Sequence, residues 1–334
     1  MLVDYPDSED EMDIFIENLV ASVEKTKNSV FETFRRPFFR GNKRNNREKE
    51  EQVVKDVISV DDDDDDDGVD ELVVVDEDDE IEVLEGKKKT EEKSILEELF
   101  AELTDEEKNE VELALSPHHN QDVLVVYGDI KITGEILQCL GPRRWLNDEV
   151  ITVYLELLKE REKRQPEKFL KCHFFNPFFY QQLAGGVSGY DYKAVKRWTM
   201  QKKIGYGLIE CDKIFVPIHQ KDKMHWCLGV INKKDKKFQY LDSLKGVDTD
   251  VFSVLARYYV DEVKDKSGEE VDISTWKSEY VEDLPGQENG CDCGMFVLKY
   301  IDFYSRGLAL WFNQKHMAYF RLRTAKEILR LRAD

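Results

Sequence analysis

The sequence predicts an α+β domain over residues 96–334, preceded by a separate acidic region at 1–95. Three observations carry this. Residues 1–95 hold 31 Asp and Glu against 14 Lys and Arg, net −17, while residues 96–334 hold 39 against 35, net −4, so most of the formal −21 lies in the first part. Apolar spacing after residue 95 switches between helical and strand-like, with helical stretches gathered at both ends around a run of strands. No internal repeat period is visible.

The first region has three parts. Residues 13–34 place Ile16, Leu19, Val20, Val23, Val30, Phe31 and Phe34 at roughly helical spacing, but a lone amphipathic helix is marginal in water and needs a partner. Arg35, Arg36, Arg40, Lys43, Arg44 and Arg47 form a basic patch that suits nuclear import, although short basic clusters are also common on other chains. The acidic block that follows cannot collapse on itself and is expected to be disordered. Within it, Val57–Val60 and Leu72–Val75 each run straight into acid. Such runs either add as strands to a partner's sheet edge or are incidental valines in a solvated linker.

In the globular part, ILEELFAELTDEEKNEVELAL (95–115) reads as one or two helices ending at Ser116-Pro117. VLVVY (123–127) is a predicted strand and ITGEILQCL (132–140) a short helix. Asn147-Asp148 caps a helix, with Glu149 at its start and Arg161 towards its end, matching the dipole. FVPIH (215–219), HWCLGVI (225–231) and FQYLDS (238–243) are predicted to form a central antiparallel sheet. VFSVLARYYVDEVK (251–264) is amphipathic, and GMFVLKYIDFYS (294–305), apolar on nearly all faces, predicts a buried helix.

Several function classes fall away. No stretch of eighteen apolar residues exists to span a membrane, and the acidic start is unlike a signal peptide. Six cysteines are too few for a disulfide scaffold, and they read as reduced thiols of a cytosolic or nuclear protein. A net −21 argues against nucleic acid, although the globular part alone is near neutral.

Chemistry concentrates in two places. If Asn232–Asp235 is a four-residue hairpin loop, Ile231 faces Lys236 and His225 lies opposite Asp242, so the carboxylate can orient the imidazole. A structural His–Asp pair reads the same way. The second place is PGQENGCDCG (285–294), immediately before the buried helix. Cys293 then falls at a helix N-terminus, where unpaired N–H groups stabilise a thiolate. Gly290 and Gly294 permit a tight turn and close approach. Gln287 offers an amide that can share an oxyanion with the Cys293 N–H. Together these supply nucleophile, base, orienter and oxyanion donor for acyl transfer.

His225-Trp226, Leu241-Asp242-Ser243 and Gln287-x-Asn289-Gly290-x-Asp292-Cys293-Gly294, in that order, resemble the Ulp-type SUMO-specific cysteine proteases, and most closely their plant and animal deSUMOylating members. Trp145–Asp148, Phe174–Tyr180, Tyr192–Trp198 and Val216–His219 extend the resemblance over the whole globular part. It implies a papain-like α+β fold with the nucleophile at the N-terminus of a buried helix. It implies His225 as base, Asp242 as its orienter, Cys293 as nucleophile and Gln287 as oxyanion donor. Trp145 and Trp226 match walls over the modifier's Gly-Gly tail, where a narrow tunnel rejects any Cβ. Asp148, Arg197 and Trp198 match the surface receiving the folded modifier, although Asp148 equally reads as a helix cap. The implied partners are SUMO precursors and SUMO conjugates, met by a monomer without cofactor, nucleic acid or membrane span. The implied location is nuclear or nucleocytoplasmic. Val57–Val60 and Leu72–Val75 look like SUMO-interacting motifs.

Cys291 departs from the pattern, as a redox partner of Cys293 or as packing. His225-x-Cys227 with Cys291-x-Cys293 also spells a rival Cys3His zinc site, but its spacings are short and leave Asp242 and Gln287 without a role. Other rivals are the same chemistry on a Rub/Nedd-type modifier, an inactive SUMO-binding scaffold, and a protease of unfolded substrates.

Overall fold

The computed structural model describes residues 97–334 apart from 187, 188 and 282. The segment 13–34, the basic patch, the acidic block and its two valine-rich runs lie outside the described residues. α1 (Asp105–Leu115) starts at a capping box in which the Thr104 hydroxyl accepts from Glu107 N and Glu107 accepts from Thr104 N, 3.2 and 2.9 Å. It ends at Ser116, as the following proline requires. β1 (Val123–Tyr127) and β2 (Ile130–Thr133) form a hairpin turned at Gly128, φ +57°. The helix predicted over 132–140 is divided: Ile132 and Thr133 close the hairpin, and the Thr133 hydroxyl accepts from Ile136 N to start α2 (Gly134–Leu137).

α3 (Asp148–Arg164) is capped by Asn147, whose side chain accepts from Val150 N at 2.9 Å, so Asp148 is the first helical residue and not the cap. The main sheet has the order β3 (Cys172–Phe174), β4 (Lys213–Gln220), β5 (His225–Asn232), β6 (Lys237–Leu241) and β7 (Lys277–Tyr280). Short helices α4 (Phe178–Ala184), α5 (Tyr192–Val195) and α6 (Gln201–Ile204) cross from β3 to β4, and α7 (Thr249–Ser267) crosses from β6 to β7. The sheet is mixed where an antiparallel one was predicted. β4, β5 and β6 are antiparallel, but β3 and β7 run parallel to their neighbours, because each joins through a long helical crossover. Both outer strands are too short for alternation to reveal them in the sequence.

β5 is buried along its whole length. Its side chains alternate, so Cys227 and Ile231 join the core with Val251 and Leu255 of α7, and a Cβ on Gly229 would sit 2.9 Å from Leu255. Trp226, on the opposite pleat, reaches α8 (Cys293–Ser305). α8 is buried on nearly every face, as its composition predicted, and α9 (Met317–Leu329) packs beside it. Among the described residues, no helix is long and apolar enough to cross a membrane.

Candidate active site

His225 opens β5 directly after Met224, whose φ of +50° turns the chain into the strand. The ring is buried, and its Nε2 lies 2.6 Å from Asp242 Oδ1. Asp242 sits just past the end of β6, where Oδ1 also accepts from Leu244 N at 2.8 Å and its own carbonyl accepts from Lys245 N. Asp242 Oδ2 lies so close to Gly246 that a Cβ there would stand 2.4 Å away. With Nε2 committed to the carboxylate, Nδ1 is left for a thiol, and both Cys227 and Cys293 act on the charge of the ring.

The pairing holds although the predicted register does not. The strands match Ile231 with Phe238 and Asn232 with Lys237, two residues away from the predicted alignment. Asn232 stays in the strand and closes the turn, donating to Asp235 at 2.9 Å and accepting from its N–H at 3.2 Å, while Lys236 takes φ +54°. A shift of two preserves the face of every side chain, whereas a shift of one would have separated the pair. Asp242 therefore meets His225 diagonally, and Cys227 comes to lie beside both.

Electrostatics follow the geometry. Burial disfavours charge on His225, but the Asp242 carboxylate and the two thiols outweigh it and raise the imidazole well above its usual range. Burial pushes Asp242 up, yet its bonds from His225 and Leu244 N bring it below the ordinary carboxylate value. Cys227 is raised, chiefly by burial.

Cys293 is the first residue of α8, as predicted. Gln287 is held by Ser243, which donates its hydroxyl to Oε1 at 2.5 Å and whose carbonyl accepts from Gln287 N at 2.9 Å, while Nε2 donates to the Asn289 carbonyl. Ser243, the residue after Asp242, thus ties the oxyanion candidate to the carboxylate that orients His225. Trp145 is 52% exposed and donates Nε1 to the Gly290 carbonyl at 2.6 Å, reaching over the turn before the thiol. Trp226 is 3% exposed, donates Nε1 to Leu146 O at 3.2 Å and stacks on His219 with centroids 4.4 Å apart. A Cβ on Gly294 would meet Leu146 at 3.0 Å and Trp226 at 3.2 Å, so that glycine lets these two side chains pack against the residue after the nucleophile.

Asp148 is partly buried, which raises its carboxyl, with His219 and Lys221 opposing the effect. Arg197 is exposed, and Trp198 packs edge-on against Phe179, centroids 5.8 Å apart. Both belong to the α4–α5–α7 side of the fold, and Trp198 is partly a core residue. Tyr192, from the same motif, donates to Glu262 of α7 at 2.7 Å.

Among the described residues, those that could hold a metal are His225, Cys227 and Asp242, whose ligand atoms lie within 4.8 Å of one another. The four-ligand zinc set does not assemble, because Cys291 turns its thiol to Asn289 Oδ1 at 3.4 Å. His225 and Asp242 already satisfy each other, so the donor set fits a proton relay better than an ion. All six cysteines are free and buried.

The nucleophile turn has supports that the sequence reading missed. Asn289 Oδ1 accepts from the N–H groups of Cys291 and Asp292 at 3.0 and 3.1 Å. Asp292 takes Gln314 Nε2 at 2.6 Å and two bonds from Arg321. Arg321 and Gln314 lie in segments without a motif, and only the buried acid beside the nucleophile hinted that a cation must answer it.

A thiol at a helix N-terminus, facing an imidazole oriented by an aspartate across a sheet, defines a cysteine-protease type of domain. The chain belongs to the Ulp1 protease family, whose C-terminal catalytic domain it matches over residues 144–333. It is 58% identical over 254 residues to the ubiquitin-like-specific protease ESD4 of Arabidopsis thaliana, covering 75% of this chain and 51% of that protein. Against sentrin-specific protease 2 of Homo sapiens it is 38% identical over 230 residues, covering 68% and 37%. The chain thus spans about half the length of the first relative. A solved structure of the Ulp1 protease domain in complex with SMT3, the yeast ortholog of SUMO, superposes with TM-score 0.57 at 30% identity, covering 69% of this chain and 96% of that one. The SUMO protease Ulp1 with its catalytic cysteine oxidised to a sulfinic acid gives 0.58 at 30%, with the same coverage.

Proposed function

We propose that the chain is a SUMO-specific cysteine protease that matures SUMO precursors after their Gly-Gly and releases SUMO from target lysines. One observation carries the reading: His225 Nε2 is bound to Asp242 at 2.6 Å, which leaves Nδ1 for the thiol of Cys293 at the start of α8. Relatives of known substrate act on SUMO. Trp145 and Trp226 beside the nucleophile suit a flat Gly-Gly tail, with Asp148, Arg197 and Trp198 assigned to the folded modifier.

In the reaction, the Cys293 proton passes to His225 Nδ1 and the sulfur adds to the terminal glycine carbonyl. The oxyanion takes the Cys293 N–H and Gln287 Nε2, which leaves the Asn289 carbonyl to do so. Collapse breaks the C–N bond, and the amine leaves with the proton from His225. Water, deprotonated by His225, then adds to the thioester, and the thiol re-forms as the carboxylate departs. Residues 1–95 are assigned to a separate acidic region, and the basic run at 35–47 supports a nucleocytoplasmic location.

The test offers the protein SUMO, a Rub/Nedd-type modifier and ubiquitin, each carrying a C-terminal thiol-reactive electrophile. An adduct with SUMO alone is expected, lost in Cys293→Ser and kept in Cys291→Ser. Labelling that survives Cys293→Ser moves the nucleophile elsewhere, and an adduct with the Rub/Nedd-type modifier alone reassigns the substrate.

A further inference from the structure

We infer that Arg321 is a positioning residue for the nucleophile, and that it also neutralises the anion beside it; the inference rests on Cys293 being the nucleophile. Asp292 occupies the N-cap of α8 but makes no capping bond with its side chain. An N-cap aspartate normally turns its carboxylate onto the first N–H groups of its helix. Here Oδ1 accepts from Arg321 Nε and Nη2 at 2.9 and 2.6 Å, and Oδ2 accepts from Asn289 Nδ2 and Gln314 Nε2 at 2.7 and 2.6 Å. The side chain that would occupy the helix N-terminus is drawn away, and those N–H groups stay available to negative charge at Cys293.

Arg321 is 4% exposed and spends its other bonds on carbonyls: Cys139 at 2.9 Å, Gly141 at 3.2 Å, Arg144 at 2.7 Å and Cys291 at 3.3 Å. The first three precede Trp145, and the fourth lies in the nucleophile turn. One planar guanidinium therefore joins the wall of the cleft to the thiol it covers, and Trp145 closes the loop through Gly290 O. A lysine could supply the charge but not donors in these directions.

The charge matters as well as the shape. The groups facing Cys293 are His225 from β5 with Asp242 behind it, Cys291 and Asp292 from its own turn, Arg321 from α9, and Arg143, which acts on Cys291. Without Arg321, a buried carboxylate next to the thiol would oppose every anionic species on the reaction path.

The experiment uses the full chain and the variants Arg321→Lys, Arg321→Met, Asp292→Asn and the Met/Asn double variant. Two readouts are taken: kcat and KM on a SUMO reporter, and the pH profile of Cys293 alkylation by iodoacetamide, located by mass spectrometry. Arg321→Lys is expected to lose kcat by about 100-fold with KM little changed, and to keep its alkylation profile. Arg321→Met is expected to move half-alkylation up by about one pH unit, and adding Asp292→Asn to bring it back while kcat stays low. A wild-type kcat and profile in either folded Arg321 variant overturns the inference. Loss of cooperative melting in every Arg321 variant overturns it too, in favour of a bond that serves folding alone. Activity that survives complete alkylation at 293 would instead sink the assignment of Cys293.

Discussion

The two ends of α8 are each buried around an aspartate, and they are built differently. At the N-terminal end Asp292 meets one guanidinium and two side-chain amides, and the first residue of the helix is a thiol. At the C-terminal end Asp302 meets three cations: Arg161 at 2.7 Å, Lys299 at 3.1 Å and Arg306 at 3.3 Å. A surplus of positive charge suits the negative end of a helix dipole, so the second cluster agrees with its helix. The first cluster matches charge for charge and leaves the positive end of the dipole to another anion. One end anchors the helix, and the other prepares a site.

Breaking the anchor has the largest expected effect. Burial opposes ionisation of Asp302, but Arg161, Lys299 and Arg306 hold its carboxyl well below the usual range. Asp302→Ala leaves those cations buried without their anion and is expected to cost about 4 kcal/mol in denaturant unfolding. Activity per folded molecule should be unchanged. The sign of the pH effect follows from the depressed value. Stability from Asp302 is present above about pH 4, its unfolded value, and is lost as pH falls through the folded one. The variant's stability should therefore fall less steeply in that acid window.

Breaking the site has a smaller cost in stability and appears chiefly in rate. Asp242→Asn removes the negative charge that His225 Nε2 meets and leaves at most a neutral amide oxygen to accept from it. A loss in kcat of about 100-fold is expected, or about 2.7 kcal/mol of barrier, together with a lowered thermal midpoint at pH 6. His225 is raised by its carboxylate, so the pair stabilises the fold fully below the unfolded histidine value of about 6.5, and that contribution is lost as pH rises through the raised value. Removing Asp242 lowers the imidazole, and the alkaline limb of kcat/KM should move to lower pH. An unmoved limb would mean that Asp242 does not set the charge of His225.

The same contrast explains what was legible in the sequence. His225, Trp226, Gln287 and Cys293 stand in short motifs, and the apolar run of α8 announces a buried helix, so one side of the site could be read directly. The His–Asp pairing was reached through a hairpin register that was wrong by two residues, and it survived because strand faces repeat every two. Arg321 could not be read, since its function lies in bonds to backbone carbonyls over 170 residues away in the chain, which leave no side-chain pattern. The parallel outer strands were lost for a related reason, as three or four residues carry too little alternation.

Cys291 gives the smallest expected effect and tests how local the site is. It lies two residues before Cys293, is buried, and places its thiol 3.4 Å from Asn289 Oδ1, the same oxygen that receives the N–H groups of Cys291 and Asp292. Burial raises this thiol, with Asp292 and Cys293 adding to the effect, so it is a poor nucleophile at neutral pH. Serine keeps a donor for Asn289 and loses little volume. Cys291→Ser should change stability by less than about 1 kcal/mol and leave kcat within about twofold. The informative comparison is under peroxide, where a partner able to trap oxidised Cys293 as a disulfide would protect activity recoverable by thiol. Equal recovery in wild type and Cys291→Ser is expected, because the Cys291 thiol is turned to Asn289. Lower recovery in the variant would make Cys291 a resolving thiol and give the site end of α8 a second function that the anchored end lacks.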